Sequence, residues 1–540
     1  MFGKKFKKRI KKVTLVLVVL FSLLVIRLGV ILKDTKIVSA ISSNYVQKEN
    51  ISDKTYNLLD INGEDLIDYN IKFILTIDSE AFLLNNSSQD ANNLLTLYWI
   101  MKNEDSDFSF YNINKESGKI KYEIKEETYN QIENIIGDLK GIYIYKYYET
   151  KTKPTWSIEN ILKSPTSFKD NSDKGENSLE VYISESTQNN MKDKTVFQKN
   201  TDGTYSEGCI EENLENINVQ LTLDKELQDT ARNILNKEEF SEFPNMGAVI
   251  IESETGKILS LAQKDETQPN LVTGAGGLIG YEPGSIFKIL TLEASMKYLG
   301  IDLNQKEECT GRVCGKVHGE LTILDAFKVS CNEVFAKLGD SIGSEKLLEF
   351  AKSQGLFQNI LGLDIESGME SIGDYEEDNN ISNISIGQSM RTNLIQITSV
   401  ISTIVNNGIY VRPYIINNFQ DNEGNIIKAF QGESHEVISS KVAENIKCAM
   451  DETVLRGTAN IASIDGVEVG AKTGTAEVNS SIKNLNGWFV GYCNINNKYY
   501  SIGVFVPNIK SQEKENTGGN TAGPVFRELV LALKDYYNKN

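Results

Sequence analysis

Histidine is nearly absent: His318 and His435 are the only two in 540 residues. A serine hydrolase triad and most zinc sites need more imidazole than this, or need it elsewhere. The chain also has no Gly-x-Ser-x-Gly and no His-Glu-x-x-His, so catalysis must run without histidine. An excess of positive charge is missing too. The formal net charge is −18, and Lys4, Lys5, Lys7, Lys8, Arg9, Lys11 and Lys12 crowd much of the basic charge into the start of the chain. The acidic remainder argues against nucleic-acid binding and reads as a soluble surface. Cysteine is sparse: Cys209, Cys309, Cys314, Cys331, Cys448 and Cys493. No four-ligand spacing among them suggests zinc, and neither metal nor cofactor is expected. Cys309 and Cys314 close a small loop with Gly311 and suit a disulfide in an oxidising compartment. Cys331 reads as a small core residue, and His318 as a loop histidine.

One long apolar run is present, Val13 to Leu32, interrupted by Ser22, Arg27 and Gly29. At about 1.5 Å per residue it spans roughly 30 Å, the thickness of a bilayer core. With basic residues before it and an acidic chain after it, residues 1–12 read as a cytoplasmic tail and 13–32 as an uncleaved single-pass transmembrane helix. Everything after Lys33 then lies outside the cell membrane. A cleaved signal peptide ending near Val38-Ser39-Ala40 is the rival reading.

Length and a hydrophobic content of 40% suit two to three domains. Residues 33–208 are rich in Asn, Asp, Lys, Glu, Ser and Tyr and read as an extracytoplasmic, non-catalytic α+β module. Strands are expected at Ile71–Ile77, Lys119–Ile124 and Gly141–Lys146, and helices at Leu94–Met101 and Thr128–Leu139. The polar stretch Ser164–Gly208 reads as a solvated edge or linker.

Residues 209–540 carry the chemistry. Asn218 to Asp224 alternates as a strand and leads into a helix over Lys225–Asn236. Gly247–Glu252 and Lys257–Ala262 form a hairpin, as do Gly487–Cys493 and Tyr499–Val506, and a last amphipathic helix runs from Pro524 to Tyr537. Strands at both ends with helices between them imply one antiparallel sheet flanked by helices, an α+β fold. Within it, Pro283-Gly284 precedes Ser285, which opens an apolar helix ended by Gly300. Lys288 falls one turn after Ser285, on the same face. A serine hydroxyl becomes a nucleophile when a base takes its proton, and a buried, neutral lysine can be that base. Ser330-Cys331-Asn332 sits within helical periodicity running from Leu321 to Leu338. There Ser330 can relay a proton and Asn332 can orient Lys288 and a substrate amide. Lys472-Thr473-Gly474-Thr475 lies on a strand where glycine admits a substrate backbone and the charge and hydroxyls can hold a carboxylate.

In this order, Ser-x-x-Lys, Ser-x-Asn and Lys-Thr-Gly-Thr resemble the motifs of the penicillin-recognising serine enzymes. Leu221-Thr-Leu-Asp224 with Leu227-Gln228, and Ile386-Gly387-Gln388 with Asn407-Gly408 and Pro413, resemble a penicillin-binding transpeptidase domain. Tyr56 to Leu66 only faintly resembles the start of a class B enzyme, since both arginines of that pattern are missing. The resemblance implies a penicillin-binding transpeptidase, serine β-lactamase-like fold. It implies Ser285 as acyl-accepting nucleophile and Lys288 as its base, with Ser330, Asn332 and Lys472 completing the proton network. Backbone N–H groups of Ser285 and Thr475 would form the oxyanion hole. Lys472, Thr473, Gly474 and Thr475 would bind the substrate. The activity implied is a class B-like peptidoglycan D,D-transpeptidase that cross-links stem peptides and is inhibited by β-lactams, beside a glycosyltransferase in a wall-synthesis complex. The alternatives are D,D-carboxypeptidase and β-lactamase within the fold, and a non-catalytic β-lactam sensor or cell-wall scaffold outside that chemistry.

Overall fold

The computed structural model describes residues 2–33, 45–113, 118–168, 170–275, 280–367, 381–479, 484–510 and 517–539. The chain forms two compact units, and neither is contiguous in sequence. One comprises Met1–Thr55, Asp68–Lys151 and Met191–Asn213, and the other Tyr56–Ile67, Thr152–Asn190 and Leu214–Asn540. A single boundary at residue 208 therefore does not describe how the chain divides.

In the first unit, Tyr69–Asp78 is the centre of an antiparallel sheet between Lys119–Ile124 and Ile142–Thr150. Alternation puts Leu75 and Ile77 on its buried face, as the period of a strand requires. Helix Ala91–Glu104 buries Leu97 and Met101, four residues apart on one face, in the same core. The helix expected to reach Leu139 ends at Glu133, and a separate 3-10 turn covers Ile136–Asp138. A second sheet joins Val46–Asn50, Lys194–Gln198 and Cys209–Glu211. Helix Phe2–Lys33 contains the long apolar run, and its side chains from Val13 to Ile26 are all exposed. Among the described residues no helix is long and apolar enough to cross a membrane. The expected span over 13–32 is therefore not supported among the described residues.

The second unit is built on a five-stranded antiparallel sheet of Gly247–Glu252 (β1), Ile258–Gln263 (β2), Glu468–Asn479 (β3), Asn484–Ile495 (β4) and Lys498–Lys510 (β5), ordered β2-β1-β5-β4-β3. Early strands and late strands meet where β1 pairs with β5. Helices Lys225–Leu235 (α1) and Gly518–Lys539 (α2) bury Leu227, Ala231, Phe526 and Leu529 with Phe489, Ile502 and Val504 of one sheet face. Helix Leu394–Val405 lies against β5, where a Cβ on Gly503 would come 2.0 Å from Thr398 Oγ1. The last helix begins at Gly518, ahead of the expected Pro524, because it starts in contact with β3. A Cβ on Gly518 would lie 2.0 Å from the carbonyl of Gly474.

The stretch expected as a polar linker is partly core. Residues 152–190 belong to the second unit, where Ser178 caps helix Leu179–Thr187. Lys174 and Glu180 form a fully buried ion pair at 2.9 Å. Tyr56–Ile67 belongs there too. Leu58–Leu59 pairs in parallel with Asn218–Leu221, and buried Asp60 accepts the N–H groups of Asn62 and Glu64 at 2.8 Å.

Candidate functional site

Ser285 sits in a one-turn 3-10 helix, Gly284–Phe287, that runs into α-helix Lys288–Leu299. In a 3-10 turn, residues three apart eclipse. Ser285 Oγ and Lys288 Nζ accordingly lie 3.1 Å apart. The turn is held from both sides by glycines. Gly284 has φ +58°, and a Cβ there would come 2.7 Å from the carbonyl of Thr475 on β3. Gly387 accepts the N–H of Gly284 at 2.9 Å and has no room for a side chain, since its Cβ would fall 2.0 Å from the Gly284 carbonyl. Trp488 of β4 donates its indole N–H to Glu282 O at 3.0 Å. Gly300 ends the helix in the left-handed conformation, as expected.

The Ser330 motif departs from its expected helix. Ile323–Lys328 and Asn332–Ile342 are separate helices, and Ser330 lies between them with φ +56°. The break turns both its carbonyl and its hydroxyl onto one ammonium. Lys288 Nζ donates to Ser330 O at 2.7 Å, Ser330 Oγ at 3.1 Å and Asn332 Oδ1 at 2.6 Å. From the other side, Lys472 Nζ of β3 donates to Ser330 Oγ at 3.0 Å. The five side chains expected to act together, Ser285, Lys288, Ser330, Asn332 and Lys472, thus form one connected chain.

Its electrostatics follow from burial. Lys288 and Lys472 are fully buried, while Ser285 is partly exposed. Burial pushes the Lys288 ammonium down to about 7, against an opposing pull from Cys331 and Cys314. Lys472 is lowered well below the ordinary lysine range, first by burial and then by the charge of Lys288. Phe335 and Phe327 lie beside the two ammonium groups, 5.7 Å from Lys288 Nζ and 5.6 Å from Lys472 Nζ. A lysine that loses its charge near neutrality can accept the proton of a serine it touches.

On β3, Lys472 and Gly474 pair with Val490 and Trp488, and a Cβ at Gly474 would meet Ile286 at 2.7 Å. Thr473 and Thr475 alternate to the other face. Thr473 Oγ1 donates to Thr458 Oγ1 at 2.9 Å, and Thr475 Oγ1 accepts the N–H of Gly518 at 3.1 Å. Thr458 and Gly518 are neighbours that sequence reading missed, and the Thr-Ala-Asn and Gly-Gly sequences around them gave no chemical signal. The described cysteines are all free, and Cys309 Sγ lies 3.7 Å from Cys314 Sγ, so the expected disulfide is not formed.

Residues 246–531 match the family described as penicillin binding protein transpeptidase domain. Stage V sporulation protein D of Bacillus subtilis is 27% identical over 348 residues, covering 58% of this chain and 53% of that protein. Peptidoglycan D,D-transpeptidase PbpA of Mycobacterium tuberculosis is 24% identical over 336 residues, covering 54% of this chain and 67% of that protein. The chain thus spans about half the length of the first relative. Penicillin binding protein 3 of Mycobacterium tuberculosis, solved with aztreonam, shares the fold at TM-score 0.59 and 18% identity, over 91% of this chain and 97% of that one. The family match covers more than half of the sequence and contains the whole Ser285–Lys472 network, and the chain therefore belongs to the penicillin binding protein transpeptidase domain family.

Proposed function

We propose that this chain is a peptidoglycan D,D-transpeptidase, acylated at Ser285 by stem peptides and by β-lactams. The observation that carries the reading is the unbroken path Ser285–Lys288–Ser330–Lys472, in which both lysines are buried. Neutral Lys288 takes the Ser285 proton as Oγ attacks the carbonyl of the D-Ala-D-Ala bond. The C–N bond then breaks, and Ser330 passes a proton from the lysines to the departing D-alanine amine. The acyl group on Ser285 then passes to an amine of a neighbouring stem: the new C–N bond forms, the ester C–O bond breaks, and the proton lost by the amine returns along the same path to Ser285 Oγ. Backbone N–H groups of Ser285 and Thr475 hold the oxyanion in both steps. Thr473 and Thr475, with Lys472 and Gly474, seat the substrate strand and its carboxylate. The relative named for D,D-transpeptidation and the aztreonam complex of a like-folded protein support this class of substrate and inhibitor.

The first unit acts as a non-catalytic pedestal, and the basic tail and apolar run of the first helix anchor the chain in the cell membrane with the catalytic unit outside. A glycosyltransferase that polymerises the glycan is the partner this activity needs. The test is to incubate the full chain with a fluorescent penicillin and, separately, with a stem pentapeptide plus an acceptor amine. A stable adduct, released D-alanine and a cross-linked product support the reading. Rapid turnover of the label would replace it with β-lactamase, and neither adduct nor D-alanine release would leave a scaffold.

The lowered Lys288 gives the reaction a pH signature. The base form exists above its value of about 7 and disappears below it. The second-order rate of penicillin acylation should therefore rise with pH through about 7 and then level off. A rate that is flat across that range would remove Lys288 as the base.

A further inference from the structure

Directly behind Ser330 lies a second cluster that the acyl-transfer chemistry does not use. The hairpin Lys306–Cys309 and Gly319–Thr322 brings Cys309 opposite Gly319. The nine residues between carry Cys314 and His318, and the helix break beside Ser330 supplies Cys331. Cys309 Sγ lies 3.7 Å from Cys314 Sγ and 3.3 Å from His318 Nδ1, and Cys314 Sγ lies 3.4 Å from Cys331 Sγ. All four potential ligand atoms fall within 4.8 Å of one another.

These separations are those of a coordination sphere. With Zn–S about 2.3 Å and Zn–N about 2.0–2.1 Å, the edges of a tetrahedron are about 3.5–3.8 Å long. Thiols acting only as small apolar side chains have no reason to point at one centre. A disulfide would join only two of the three sulfurs. The loop also has no core of its own to hold it. Val313 and Val317, its large apolar residues, are 38% and 68% exposed. Gly311 turns it at φ +85°, where a Cβ would meet Val317 N at 2.9 Å.

The surroundings suit bound thiolates. The backbone N–H of Glu333 donates to Cys314 Sγ at 3.3 Å. The Glu333 carboxylate accepts from Thr310 N at 3.1 Å and Thr310 Oγ1 at 2.8 Å, fastening the residue after Cys309 to the helix after Cys331. Cys309 and Cys331 are buried, while Cys314 and His318 are partly exposed and give a metal its way in.

We propose that Cys309, Cys314, His318 and Cys331 form a tetrahedral Cys3His zinc site that fixes the turn carrying Ser330 and Asn332. Thiolate and imidazole donors in a closed set of four are the ligands of structural zinc, and no position is left for a substrate. The metal ties a loop without a core to the one backbone break on which the proton path depends. Cys331 is the hinge of that coupling, because its neighbours on both sides hydrogen-bond to Lys288.

The test uses the full chain, purified with reductant and loaded with zinc alone or cobalt alone. One zinc per chain should survive dialysis, and the cobalt form should show strong visible bands and sulfur-to-cobalt charge transfer in the near ultraviolet. His318→Ala should lose both signals, His318→Cys should keep the metal, and Cys209→Ser, at an exposed cysteine outside the cluster, should change neither. A dialysed wild-type chain without zinc, or a cobalt form without charge transfer, overturns the site. The coupling rests on the proposed acyl transfer and has its own readout. Chelation should slow penicillin acylation, and added zinc should restore it, in wild type and His318→Cys alike. Zinc bound with acylation unmoved by its removal overturns the coupling and leaves the site. A chain that binds zinc but is never acylated rejects the proposed function instead.

Discussion

Ser285→Ala is expected to carry no penicillin label at any exposure, while keeping the wild-type fold. The hydroxyl is the one atom that forms the new bond, and its removal leaves a partly exposed position with no packing to lose. Lys288→Ala should still be labelled, but about 10²–10⁴ times more slowly, the range a positioned proton acceptor contributes. That variant alone is ambiguous, since Ser285, Ser330 and Asn332 all lose a partner with the ammonium. Lys288→Arg separates the two effects. A guanidinium keeps a cation in the pocket and cannot become neutral in a protein. If the lysine only organised its neighbours, arginine would restore part of the rate; if it takes the proton, arginine should be as slow as alanine. Stopped-flow labelling on all three chains decides between them, and undiminished labelling of Ser285→Ala would place the acyl group on a different residue.

The site was more legible in the sequence than the division of the chain, for a physical reason. Ser285 and Lys288 are three residues apart on one turn, and Lys472-Thr-Gly-Thr is a run on one strand. Local geometry alone brings those groups together. The Ser330 break is different. Ala326, Phe327, Val334 and Phe335 keep helical spacing across it, and only the need to turn a carbonyl and a hydroxyl onto Lys288 explains the left-handed residue between them. The cysteines hid for a similar reason. Cys309, Cys314 and His318 lie on a hairpin loop that leaves its valines exposed, and Cys331 stands inside a motif whose flanking residues already had a role. Residues 164–190 look like solvated chain because Lys174 and Glu180, both buried, are each other's partners, a pairing that composition does not register.

That buried pair sets the second large effect. Lys174→Met should destabilise the catalytic unit by about 3–5 kcal/mol, the cost of leaving one buried charge without its partner. The ammonium of Lys174 is 2.9 Å from Glu180 Oε1, and neither side chain is exposed to water. Glu180 Oε2 in turn accepts the N–H of Asp364 at 3.2 Å, so the carboxylate has a polar neighbour but no second cation within ion-pair distance among the described residues. Adding Glu180→Gln to Lys174→Met should recover most of the loss. The amide keeps an oxygen for Asp364 and removes the stranded charge, and replacing both members of such a pair is often close to neutral. The quantity to measure is the urea midpoint at which penicillin labelling is lost, because it follows the unit that contains Ser285 and ignores the other. A midpoint that is unchanged in Lys174→Met would mean water reaches Glu180 in solution. A double variant no more stable than the single would mean that the methionine fails to fill the space the lysine stem occupies, so that packing rather than charge holds residues 152–190 to the catalytic unit.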